Sequence, residues 1–112
     1  MGKATVGKAR QVAAAATTVV DVPEWGGEVT IRRASLADAR WARSQIKPDE
    51  EFDADEFENM LLARCIIEPD LGEDGPDIIR KQPIGVGKKL VDAFNAVSGV
   101  AEADQFRPAD DA

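Results

Sequence analysis

The segment Gly85-Val86-Gly87-Lys88-Lys89 has the outline of a phosphate-cradling loop, in which glycines let backbone N–H groups close on an oxyanion. The spacing fails: such a loop needs Gly five residues before the Gly-Lys pair, where Gln82 stands, and Ser or Thr where Lys89 stands. Asp70 to Asp77 has the composition of a calcium loop, with Gly75 at the turn position after Asp70, Gly72 and Asp74. Lys81 then occupies the place of the required bidentate Glu. The run Asp49 to Glu58 is rich in carboxylates, but it leads into a helical pattern. There, acids in the first turn complement the helix dipole by about 0.3–1 kcal/mol each. Cys65, the single cysteine, sits among Leu61, Leu62, Ala63, Ile66 and Ile67 and behaves as a small hydrophobe. The chain has no histidine, so the commonest general base and metal ligand are both missing. No catalytic, cofactor-binding or metal-ligating residue is assigned, and the chain reads as a non-enzymatic binding protein without a cofactor.

At 112 residues there is room for one domain, burying roughly two thirds of its unfolded surface. The hydrophobic fraction is 44%, yet Ala supplies much of it, and four Phe with two Trp predict a modest core. The formal charge of −7 opposes phosphate backbones, so nucleic acid is not an expected partner, while a partner with basic segments is left open. No apolar run has the length to span a bilayer, and no membrane partner is expected. Lys3, Lys8 and Arg10 before an Ala-rich stretch faintly resemble a signal peptide. The stretch is broken by Thr17 and Thr18 without a cleavage site, which makes a cytosolic protein the expectation.

The predicted fold class is α+β, mainly α: an N-terminal β-hairpin followed by a small three- to four-helix bundle over residues 17–99. Residues 1–16 are expected to be a frayed arm and residues 100–112 a loose acidic tail. Thr17 to Val22 and Glu28 to Arg33 are rich in β-branched residues, with Val29 and Ile31 alternating against Thr30 and Arg32. Pro23, Trp25, Gly26 and Gly27 between them form the reversal motif, with Trp25 folding back over the helices. Ser35 with Asp38 makes an approximate capping box, which predicts a first helix from Leu36 to about Gln45, stopped by Pro48. Asp38 and Arg40 to Arg43 are placed on its polar face, and Leu36, Ala39 and Trp41 or Ala42 on its packing face. Phe57, Met60, Leu61, Arg64 and Cys65 recur at helical spacing and predict a second helix from Asp53 to Ile67. A single helical turn is expected over Asp77 to Lys81. A third helix follows, from about Pro83 to Ser98, with Gly99 as its cap. Its stripe of Leu90, Phe94 and Val97 reads first as core. An uncovered part of that stripe, or the Phe57 and Met60 end of the second helix, is the expected route to a partner helix.

Taken in order, these features resemble the bacteriophage tail assembly chaperones, the small proteins encoded before the tape measure gene. The resemblance rests on Val20-Asp21-Val22-Pro23-Glu24-Trp25-Gly26-Gly27 with Val29 to Arg32, on Ala34-Ser35-Leu36-Ala37-Asp38, on Ala63 to Leu71, and on Leu90 to Gly99. It implies a protein that binds the tape measure protein in the host cell cytoplasm, keeps it soluble, and is absent from the mature virion. It also implies recruitment of the tail tube protein, through a longer form made by ribosomal frameshift. Self-association is left open. A structural minor tail or head–tail connector protein retained in the virion is the alternative, and a small regulatory adaptor a third.

Overall fold

The computed structural model describes residues 2–14, 16–47 and 51–99. The fold is mixed α+β and mainly helical. In chain order it runs α1 (Val6–Ala13), β1 (Thr17–Val22), β2 (Gly27–Arg32), α2 (Leu36–Ser44), α3 (Ala54–Cys65), β3 (Ile66–Glu68), α4 (Gly75–Arg80) and α5 (Ile84–Ser98). The three strands form one antiparallel sheet in the order β1-β2-β3.

The hairpin follows from its turn chemistry. Pro23 opens a 3-10 turn over Pro23–Trp25, and Gly26 closes it at φ +92°, a left-handed conformation that costs a glycine nothing. Its N–H donates to the Pro23 carbonyl at 2.9 Å. Gly27 is already strand, paired with Val22. The alternation in β2 sends Val29 and Ile31 into the core, where Leu62 and Cys65 of α3 and Val86, Leu90 and Phe94 of α5 meet them. Gly99 caps α5 at φ +80°, and Ser98 Oγ accepts the Ala34 N–H at 3.1 Å, tying the end of α5 to the β2–α2 link.

Four sequence expectations change. The arm over residues 1–16 contains a helix: Thr5 Oγ1 accepts the Lys8 N–H, and Arg33 Nη1 donates to the Val12 carbonyl at 2.6 Å. A cap and one anchoring bond suffice, although α1 buries no residue. The second helix stops at Cys65 rather than Ile67, and Ile66 to Glu68 become a strand. Ile66 and Ile67 are β-branched, and Glu68 precedes Pro69, whose ring disfavours helical backbone in its predecessor. Ile66 pairs with Ile31 and finds burial there that another helical turn would not supply. Leu36 is 76% exposed, not packed. At about 3.6 residues per turn it lies nearly opposite Asp38, and the inward face of α2 carries Asp38 and Ala42. The expected stop at Pro48, the start of the acidic run at Asp49 and Glu50, and the tail from residue 100 lie outside the described residues.

Asp38 is the fourth change, because it is buried. Its carboxylate accepts the Ser35 N–H at 2.8 Å and completes the capping box. It also accepts hydrogen bonds from Arg32 Nη1 and Nη2, at 2.7 and 2.9 Å, and from Arg64 Nε at 2.8 Å. The Arg32 hydrogen bonds hold this carboxyl well below the usual carboxylate range, against the desolvation that opposes them. Asp38→Ala is expected to cost about 2–4 kcal/mol in urea titration, below the ~3–5 of a fully enclosed pair because both guanidiniums reach solvent. The folded pKa lies below the unfolded value of about 3.9, so this stabilisation is present above about pH 4. It is lost as pH falls through the folded value, and the acid limb of the stability curve should flatten in the variant.

Candidate functional site

An open groove of about 620 Å³ is walled by α2, α3, β3 and the segment from Asp70 through α4. Met60 and Ala63 of α3, Ile66 of β3 and Leu71 form its apolar floor. Trp41 stands at one wall, its ring 4.5 Å beneath the Arg64 guanidinium. That contact and the Arg64–Asp38 bond fix both side chains, so one ion cluster supports the sheet and shapes the groove.

The rim is acidic. Asp70, Glu73, Asp74 and Asp77 line it, and among the described residues no cation pairs with Asp70, Glu73 or Asp74. Asp70 Oδ1 instead accepts the Gly72 N–H at 3.0 Å and holds the turn. Asp77 binds Lys81 and Arg80, each at 3.0 Å, and the Lys81 bond leads in drawing its pKa below the usual carboxylate range. Arg80 also pairs with Glu56 of α3, which raises its pKa and ties α4 to α3. Both arginines of the groove are therefore committed to internal carboxylates, and the rim keeps an excess of negative charge. The shape depends on Gly75: a Cβ there would stand 3.1 Å from Ala63 Cβ and 3.4 Å from Leu71 Cβ.

The residues expected to meet a partner separate into two groups. Leu90 and Phe94 are 0% and 3% exposed, under the sheet and α3, and Val97 is half-buried at the same seam. The sheet covers this stripe completely enough that Leu90 and Phe94 cannot dock a partner, which corrects that expectation. Met60 lines the groove, and Phe57 lies half-buried on the same side of α3. Phe57 packs against Phe52 with ring centroids 5.5 Å apart, and Arg43 lies over both rings. Trp25 does fold back: its Nε1–H donates to Gln82 Oε1 at 2.8 Å, clamping the hairpin to the α4–α5 junction. Sequence reasoning named Trp41 only as a packing candidate and the Asp70 to Asp77 acids only as a rejected calcium loop, and it missed Leu71. The signal was a second tryptophan, the one aromatic on a helix otherwise made mostly of Ala and Arg.

Cys65 is buried, and burial pushes its thiol up to about 11. Among the described residues no group of three or more His, Cys, Asp or Glu is placed to hold a metal, and none of their helices is long and apolar enough to cross a membrane. No protein-family model, curated protein or solved structure matches the chain.

Three expected outcomes come from this geometry. A thiol-specific disulfide reagent should leave Cys65 unreacted in the native protein and titrate it once denaturant unfolds the chain. Gly75→Val should lose about 1–3 kcal/mol in urea titration through overpacking. Gly87→Ala should gain up to about 0.5–1 kcal/mol, because its Cβ enters open space within α5.

Proposed function

We propose that this chain is a non-enzymatic binding protein whose groove receives a basic, amphipathic helical segment of its partner. The observation that carries this reading is the pairing of an apolar floor with three rim carboxylates, Asp70, Glu73 and Asp74, that no cation among the described residues pairs. A partner helix with apolar side chains at i and i+3 or i+4, flanked by Lys or Arg, satisfies both features at once. The resemblance of the Val20 to Gly99 region to tail assembly chaperones supplies the biological setting. The partner is then the long helical tape measure protein, held soluble in the host cell cytoplasm. The tail tube protein is recruited through a longer form, and the chaperone leaves before the virion is complete. Mass spectrometry of purified virions separates this role from that of a minor tail or head–tail connector protein, which stays in the particle.

Co-expression with the tape measure protein of the same genome should raise its solubility and yield a complex on pull-down. Met60→Asp, and separately the joint change of Asp70, Glu73 and Asp74 to Asn, Gln and Asn, should each weaken that complex by at least about tenfold. All four residues lie at the surface or groove wall, so circular dichroism should report an intact fold. Wild-type binding should weaken as salt is raised. Absence of any complex with both proteins folded overturns the reading, and full binding by both variants moves it away from the groove.

A further inference from the structure

The sheet has one long unpaired edge. Strand order β1-β2-β3 leaves β1 bonded on one side only. The Ala16 carbonyl accepts the Arg33 N–H at 2.8 Å, which sets the alternation of the hairpin ladder. Thr18, Val20 and Val22 therefore bond to β2, and Thr17, Val19 and Asp21 turn their N–H and C=O groups outward. Lys89 Nζ, 3.1 Å from the Asp21 carbonyl, agrees with that parity. It is the only side chain among the described residues bonded to this edge. Helix α1 leaves the edge clear, because Arg33 holds it on the β2 side. Val19 is 54% exposed in the middle of the edge.

We infer that β1 is a self-association edge, on which a second copy of this chain adds its own β1 antiparallel to form a continuous six-stranded sheet. The side-chain sequence selects both the occupant and the register. With Val19 opposite Val19 of the second copy, Thr17 faces Asp21 and Asp21 faces Thr17. Each outward residue then exchanges main-chain hydrogen bonds with its opposite, and each carboxylate gains a hydroxyl across the strands. Sliding the register two residues sets Asp21 against Val19 and loses its Thr17 partner, and sliding it four sets Asp21 against Asp21 with like charges together, so both are disfavoured. Thr18 and Val20 meet each other on the core face, and the exposed Val19 side chains cover one another on the solvent face. The one bond displaced, from Lys89 to Asp21, is replaced by the Thr17 N–H of the second copy. This surface lies on the sheet edge, apart from the proposed partner groove. The two associations differ in sign with salt: both copies carry −7, so raising salt favours the dimer.

Sedimentation equilibrium of the full chain from micromolar to millimolar concentration tests the inference. A reversible dimer, tightening with salt, is expected. Thr17→Asp strengthens the hairpin within one copy, where residue 17 faces Arg32, but sets Asp against Asp21 twice across the dimer. It should weaken dimerisation by about tenfold. Asp21→Lys likewise faces Glu28 within its own hairpin, and mixing it with Thr17→Asp should restore dimers containing one of each. Val19→Pro removes an outward N–H that β2 does not use, so it should keep the monomer's circular dichroism and abolish the dimer. A wild-type chain that stays monomeric at every salt and concentration overturns the inference. So does a dimer that survives Val19→Pro, or one that ignores the charge at residue 17.

Discussion

The fold depends on one buried carboxylate. Asp38 sits where β2, α2 and α3 converge, and it answers to all three: Arg32 from the strand, Ser35 from the start of its own helix, and Arg64 from the next. A group of this kind is costly to desolvate and tolerable only when its acceptor capacity is filled. Filling it fixes where α2 begins, how α2 lies against α3, and which way the end of β2 faces. With a core of mainly medium-sized residues, apolar packing alone would leave those orientations loosely specified. The ion cluster supplies direction where the hydrophobic effect has none.

The same cluster reaches the surface. Arg64 is held from below by Asp38 and lies over Trp41 from above, so the groove wall inherits its position from the core. The opposite wall is set by close approach instead, with Gly75 admitting α4 against Ala63 and Leu71. The groove thus combines a rigid side with a side built from a polar segment whose carboxylates face solvent. In the proposed function, such a surface selects a partner by charge and then by apolar fit.

Elements governed by local chemistry were legible in the sequence. The Pro23 to Gly27 reversal, the Ser35 cap, the start of α3 at Asp53 and the Gly99 stop are decided by neighbours within a few residues. Features decided by distant partners were not. Ile66 and Ile67 continue a helical pattern until Ile31, 35 residues earlier in the chain, offers a strand to pair with. Asp38 looks like an exposed capping residue until Arg32 and Arg64 enclose it. Leu36 looks like core until the helix is oriented by the charge it precedes. Of the expected partner-binding residues, Met60 and Phe57 reach accessible surface, and Leu90 and Phe94 do not, because periodicity marks an apolar stripe without saying what covers it.

The bonds that close the structure also set the order in which it can form. Trp25 to Gln82, Ala34 to Ser98 and Lys89 to Asp21 span 57, 64 and 68 residues, and each joins the hairpin region to α5 or its approach. The hairpin and α1 are synthesised early and consist of local contacts, which form fast. Their inward face, Val22, Val29 and Ile31, meets only Leu62 and Cys65 of α3 until α5 has left the ribosome and completes the cover. Throughout that interval the nascent chain carries a sheet whose apolar face is only partly covered. The core of this small domain is therefore complete only once α5 is present to close it.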